Sequence, residues 1–297
     1  MRGAERGFLL LSSCLGDPMR KPLTTAQMRI LSDRMWRMEF PAKDRDLEMA
    51  DLIALGYGRA MAARILKLLE DGVVLDHYLQ IARRQDCMPL TRITEGYPLV
   101  LRQRLALESP GVLWAKGDLE LLKQPKIALV GSRDLNEINA AFAREVGQQA
   151  ARQGYTLVSG NARGADRTAQ EACLNAGGSV IVVVADSLLQ QRQRERVLYL
   201  SEENYDQAFS AQRALSRNRI IHALSEMSFV AQSNYQTGGT WDGTVRNLQG
   251  GWNRVFCFDD GSVAMQQLCQ MGANPVALQQ LQDFQQLPKN DTSLFDQ

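Results

Sequence analysis

The sequence predicts an α/β protein, a doubly wound and mostly parallel sheet preceded by an N-terminal helical domain. Three observations lead there. Short apolar runs at 127–130, 180–184 and 255–258 alternate with helical stretches, which is the pattern of βαβ units. Those runs are apolar at every position, as expected of strands covered on both faces. Residues 1–92, by contrast, carry leucines at helical spacing, with sparse glycine and proline and no strand-like alternation.

Within 1–92, Leu52, Leu55, Ala60, Ile65, Leu66, Leu68 and Leu69 mark the helical faces. The stretch Leu52-Ile53-Ala54-Leu55-Gly56-Tyr57-Gly58 fits two helices joined by a tight G-x-G turn. Such a turn is either an ordinary αα-hairpin or a helix-hairpin-helix (SAM-like) unit that offers backbone N–H groups to DNA phosphate. Arg6 before Phe8-Leu9-Leu10-Leu11 mimics a secretion signal. The apolar stretch is short, however, and runs through Ser12 and Ser13 into Gly16-Asp17-Pro18, so it reads as a first core helix of a cytoplasmic protein.

Residues 93–275 carry the sheet. Strands are expected at 112–115, 127–130, 155–158, 180–184, 229–231 and 255–258. Helices are expected at 136–153, from the 160s to Ala176, at 217–225, and from Gly238 onward. The tail, 276–297, is rich in Gln and Leu and is expected to be helical with frayed last residues.

Composition narrows the functions. The 297 residues hold 34 Lys and Arg against 33 Asp and Glu, a net charge of +1. A globally basic nucleic-acid coat is excluded, so a polyanion must be held by a local patch. Two histidines and five cysteines without a C-x-x-C pair leave no expected metal site or disulfide framework. No apolar run reaches the ~18 residues that span a bilayer.

Ligands of a doubly wound sheet bind outside the carboxyl ends of its strands. Three polar clusters fall there. Gly131-Ser132-Arg133 offers a tight turn, a hydroxyl and a guanidinium fork suited to phosphate. Ser159-Gly160 leads through Arg163 and Gly164 to Asp166 at a helix start. Gly238-Gly239-Thr240 opens the third helix. Glycine is common in turns for purely geometric reasons, so the argument rests on three clusters converging on one edge. No G-x-G-x-x-G follows the first strand and no Walker A lysine is present, so neither NAD-linked redox chemistry nor ATP hydrolysis is expected. Arg217-Asn218-Arg219 opens a further helix, where residues two apart point to different sides, so the two arginines should do separate work. Arg192, Arg194 and Arg196 read as a solvated helix face or as a strip tracking a phosphate backbone. Tyr235 and Trp241 fit either core packing or base stacking.

Together these residues resemble the DNA-processing protein A (DprA/Smf) family. The resemblance runs from about Tyr97-Pro98 through Gly131-Ser132-Arg133, Ser159-Gly160-x-Ala162-x-Gly164-x-Asp166, Arg217-Asn218-Arg219-Ile220-Ile221 and Gly239-Thr240-Trp241 to Gly272-Ala273. It implies a Rossmann-like domain, no catalytic residue and no cofactor. It also implies binding of single-stranded DNA in uptake, recombination or phage conflict, a RecA-type recombinase as partner, and homodimers formed through the Rossmann-like domain. Arg133 would contact phosphates. Gly131, Ser132, Ser159, Gly160, Arg163, Gly164, Gly238, Gly239 and Thr240 would line the pocket, and Arg217, Asn218 and Arg219 would shape it.

The chain departs from the family pattern in places. Asp259-Asp260 stands where Pro-Gly is usual, Asp242 replaces an apolar residue, and Asn161 replaces a frequent glycine. Acids facing a nucleic-acid backbone would repel it. A C-terminal winged helix, common in the family, is not expected. An alternative within the same superfamily is a nucleotide sensor or a "lonely guy"-like nucleoside monophosphate phosphoribohydrolase. In that pattern Asn247 falls where the catalytic glutamate belongs, and an amide is no general acid or base.

Overall fold

The computed structural model describes residues 3–37, 46–202 and 204–288. The chain divides into two compact units. One comprises residues 1–97, 110–114 and 202–207, the other residues 98–109, 115–201 and 208–297.

The first unit contains α1 (Gly3–Ser12), α2 (Thr25–Arg37), α3 (Met49–Ala54), α4 (Arg59–Leu69), α5 (Gly72–Arg84) and β1 (Cys87–Thr91). The signal-like stretch is a core helix, with Leu9, Leu10 and Leu11 buried. Leu11 joins Leu31, Leu52, Leu55, Ala62, Ile65 and Leu68 in one apolar cluster, which is where the helix-spaced leucines go. α3 and α4 form the expected hairpin, turned by Gly56 at φ +83°. A second centre is aromatic: Tyr78, Trp114 and Tyr205 have ring centroids 4.6 to 5.5 Å apart. The strand β1 departs from the helical expectation. Its Pro89 lacks a ladder donor, which hides a strand from sequence patterns.

The second unit holds α6 (Leu99–Leu105), residues 115–117 of β2 (Val112–Gly117), β3 (Lys126–Val130), α7 (Glu137–Arg152), β4 (Thr156–Ser159), α8 (Ala165–Asn175), β5 (Val180–Val184) and β6 (Val197–Glu202). It continues with α9 (Ala211–Ser216), α10 (Asn218–Leu224), β7 (Met227–Val230), α11 (Gly238–Gly250), β8 (Arg254–Phe258), α12 (Val263–Gln270) and β9 (Asn274–Val276). Its strands follow the order β2-β6-β5-β4-β3-β7-β8-β9. Every pairing from β6 to β9 is parallel. The chain steps outward from β3 through β4, β5 and β6, then returns to β7 on the other side of β3, in register Val130↔Val230. The crevice between the ends of β3 and β7 is therefore the topological switch point. β3 and β5 are buried at every position, as their unbroken apolar runs require.

Two segments differ from the sequence expectation. Arg192, Arg194 and Arg196 lie on an exposed loop rather than a helix, and that loop enters β6, a strand the sequence left unassigned. The Arg196 carbonyl accepts from the N–H of Val180, the first residue of β5, so this end of the run lies at the amino edge of the sheet. A single phosphate track running from these arginines to the glycine turns is not built. The tail forms short 3₁₀ turns at Leu278–Gln282 and Phe284–Gln286 in place of an α-helix. Buried Phe284 packs 5.1 Å from the ring of Phe229 and 5.7 Å from that of Tyr155. Residues 289–297, expected to fray, lie outside the described residues. Among the described residues no helix is long and apolar enough to cross a membrane.

Candidate nucleic-acid interface

The three glycine turns meet at the carboxyl edge. The Ser132 N–H donates to the Gln232 carbonyl at 2.9 Å, which joins the turn after β3 to the one after β7. The Ala165 N–H donates to the Ser132 carbonyl at 3.1 Å, joining the first turn to the loop after β4. Glycine is needed where these turns cross. A Cβ on Gly164 would fall 2.4 Å from the Arg133 carbonyl oxygen, and its φ of +82° suits no other residue. A Cβ on Gly131 would fall 2.5 Å from the Ala165 methyl.

The third turn is tied in through α10. The Asn218 side-chain amide donates to the Gly239 carbonyl at 2.8 Å, holding the start of α11 beside Arg217. Gly238 has φ +85° and open space around it, and Thr237, which caps α11, makes no side-chain capping bond. Thr240 is half-buried, and its carbonyl accepts from the Thr244 hydroxyl at 2.7 Å. The N-terminal ends of α8 and α11 thus both open at this edge, where their partial positive charge favours anions.

Arg217 is the centre of the arrangement. Its guanidinium rests on the backbone of Gly160, where a Cβ would fall 1.7 Å from Nη1. Nη2 lies 3.7 Å from the Asp166 carboxylate, and the two side chains are 11% and 6% exposed. Asp166 also accepts from the Ala162 N–H at 3.2 Å. Burial pushes the Asp166 carboxyl up from the usual carboxylate range and the Arg217 guanidinium down, while their mutual attraction opposes both shifts. Arg217 Nε is buried without a hydrogen-bond partner among the described residues. Arg133 is exposed and forms no hydrogen bond or ion pair with any described residue, yet its charge bears on both Asp166 and Arg217.

The remaining sequence-selected residues divide. Exposed Arg163 pairs with exposed Asp134. Ser159 is fully buried, and its hydroxyl accepts from the Gln170 amide at 2.6 Å. Arg219 does not join Arg217. It donates to the carbonyl of Glu108 at 3.0 Å and to that of Ser216 at 2.6 Å, so it braces α10. The two arginines do separate work, but not the work expected: Arg217 both pairs with the acid and faces the turns, while Arg219 donates to backbone carbonyls.

Sequence reasoning missed Gln170 and Asn139. Gln170 lies one helical turn beyond Asp166, and that spacing was the available signal. It fixes the Ser159-Gly160 turn through the Ser159 hydroxyl and the Gly160 carbonyl. Asn139 donates to the Ala231 carbonyl at 2.6 Å and to Asp260 at 2.7 Å. Asp260 also accepts from the Ser262 N–H, so this acid is occupied within the edge. Asp242 and Asp259 are exposed. Asn247, in the position of a hydrolase glutamate, is fully buried. Its amide donates to Asn253 at 2.7 Å and lies 3.2 Å from His222 Nδ1, while Ser228 lies 2.8 Å from the same ring nitrogen.

Fold and edge together define a Rossmann-like α/β protein whose switch point is built from glycine turns around a buried Arg–Asp pair. Residues 89–284 match the model of the DNA recombination-mediator protein A family, and the chain belongs to that family. It is 30% identical over 175 residues to the DNA processing protein DprA of Bacillus subtilis, covering 55% of this chain and 58% of that one. It is 33% identical over 141 residues to the DprA of Streptococcus pneumoniae, covering 44% and 50%. The match thus spans 58% and 50% of the length of these two curated relatives. The X-ray structure of DprA from Streptococcus pneumoniae superposes with a TM-score of 0.68 at 26% identity, covering 86% of this chain and 90% of that chain. The single-stranded-DNA-binding DprA of Helicobacter pylori superposes at 0.54 with 23% identity, covering 65% and 93%, and shares the fold.

Proposed function

We propose that this protein binds single-stranded DNA through the carboxyl edge of its Rossmann-like sheet and is not an enzyme. The observation that carries the proposal is the convergence of two guanidinium groups, Arg133 and Arg217, on interlocked glycine turns at one switch point. Arg133 is exposed and has no partner among the described residues, so its fork is available for a phosphate. Arg217 is held in place by Gly160 and Asp166 with one side-chain donor unmet, so it presents charge without having to be ordered on binding. Gly131, Ser132, Gly164, Gly238, Gly239 and Thr240 form the walls, the buried Ser159-Gly160 turn backs them beneath the Arg217 guanidinium, and Asn218 and Arg219 brace them. Arg163 adds charge at the rim once it leaves Asp134. Family membership and the DNA-processing relatives support the same reading.

On the family likeness we extend the proposal to action in DNA uptake, recombination or phage conflict. It then includes homodimers formed through the Rossmann-like unit, a RecA-type recombinase as the receiving partner, and residence in the cytoplasm. The phosphoribohydrolase alternative gains no support from Asn247, which is buried in a polar network with His222, Ser228 and Asn253.

The test is a fluorescence polarisation titration with labelled oligo-dT at low salt. Saturable binding is expected, and Arg133→Ala should weaken it about ten-fold, the scale of one charge-assisted contact. Absence of binding, or an unaltered Arg133→Ala variant, rejects the proposal. Displacement of the oligomer by equimolar nucleoside monophosphate would favour the nucleotide sensor instead.

A further inference from the structure

We infer that Tyr235 and Trp241 form a stacking platform for a nucleobase beside the anion-binding edge, so that the ligand of this site is recognised by base as well as by phosphate. The inference rests on the proposed function and deepens it.

The platform is built from local geometry. Asn234 and Thr237 close a small antiparallel bridge, which places Tyr235 and Gln236 at the tip of the turn between β7 and α11. Gln236 takes the left-handed conformation, φ +53°, that such a tip requires. The Tyr235 side chain projects from it and is 45% exposed. Gln236 Nε2 donates to the Tyr235 hydroxyl at 3.0 Å, which restrains the ring. Trp241, in the first turn of α11, meets Tyr235 edge-to-face with centroids 5.3 Å apart and an interplanar angle of 81°. An edge-to-face pair leaves at least one face of each ring uncovered by the other, unlike a stacked pair.

The position matters as much as the rings. Trp241 follows Gly239-Thr240 directly, and Asn218 ties Gly239 to the helix that starts at Arg217. A phosphate at the guanidinium edge therefore has an aromatic surface within a short stretch of chain. Base–aromatic stacking tolerates any sequence, because every base has a π-face, and it adds an affinity that phosphate contacts alone cannot supply. A core-packing role explains the half-buried Trp241, but it does not explain a restrained tyrosine exposed at a turn tip.

The experiment compares oligo-dT with an abasic phosphodiester oligomer of equal length, titrated against wild type, Tyr235→Ala and Tyr235→Phe. Wild type is expected to bind oligo-dT about ten-fold more tightly than the abasic oligomer. Tyr235→Ala should bring oligo-dT down to the abasic level while leaving abasic binding unchanged, and Tyr235→Phe should retain the preference. Equal binding of both oligomers by wild type, or an equal loss for both in Tyr235→Ala, overturns the platform and leaves the phosphate edge standing. If wild type binds neither oligomer, the proposed function fails and the platform with it.

Discussion

The guanidinium of Arg217 lies so close to the backbone of Gly160 that any side chain at position 160 would occupy its place, with a Cβ only 1.7 Å from Nη1. One residue follows a strand and the other caps a helix far along the sequence. Their contact fixes where the buried positive charge sits, and Asp166 keeps it there. Gly160→Ala is therefore expected to displace Arg217. Overpacking of this kind costs about 1–3 kcal/mol, to be read by urea denaturation, and oligo-dT binding should fall with it. An alanine variant as stable and as active as wild type would place the guanidinium elsewhere.

Asp166→Asn removes the charge that compensates Arg217 while keeping the shape. Breaking a buried pair from one side leaves an unpaired charge and costs about 3–5 kcal/mol. The midpoint of urea unfolding should drop accordingly, and Arg217→Met in the same background should recover part of the loss. A double variant no better than Asp166→Asn alone would contradict a coupled pair.

The pair also shows what the sequence could and could not reveal. β3, β5 and β8 were legible because unbroken apolar runs have few other uses. The glycine turns were legible because they follow β3, β4 and β7, each of which the sequence predicts as a strand. β6 was not, because Val197-Leu198-Tyr199-Leu200 directly follows an arginine-rich stretch that looks like a solvated helix. The Asp166–Arg217 pairing was out of reach, since no local pattern reports a contact between the starts of two helices as far apart in sequence as α8 and α10. The spacing of Arg217 and Arg219 predicts separate work for the two, but only the fold shows which one meets Asp166 and that Arg219 is tied to the carbonyls of Glu108 and Ser216.

Arg163→Ala should behave differently from the changes at Gly160 and Asp166. Both partners of the Arg163–Asp134 pair are largely exposed, so thermal stability should change by less than about 1 kcal/mol. Oligo-dT affinity should fall modestly, and the effect should fade as salt is raised. A large stability loss would show that the pair is structural.

Asp242 is exposed at the start of α11, near the edge proposed to meet DNA. Asp242→Asn should tighten oligo-dT binding about two-fold at low salt, the scale of removing one like charge acting through water. Weaker binding in this variant would assign the carboxylate a positive role.

His222 gives a pH dependence. Burial lowers its pKa to about 3, so the folded protein holds the ring neutral in its network with Ser228 and Asn247. The unfolded chain takes up a proton near pH 6.5. Between those values the unfolded state binds more protons, and stability falls as the pH falls. From pH 7 to pH 5 this one group should remove about 2 kcal/mol. Thermal melts across that range should show the decline, and His222→Gln should flatten it. An equal decline in the glutamine variant would assign the effect to other groups.

The central claim is that a few arginines at one edge hold the DNA phosphates, and the salt dependence of oligo-dT binding tests it most directly. Each phosphate contact on a single strand contributes about 0.7 to the slope of log K against log salt concentration. Wild type should show a clearly negative slope, and Arg133→Ala should be shallower by about 0.7. A wild-type slope near zero, or an Arg133→Ala slope and affinity equal to those of wild type, would contradict the claim.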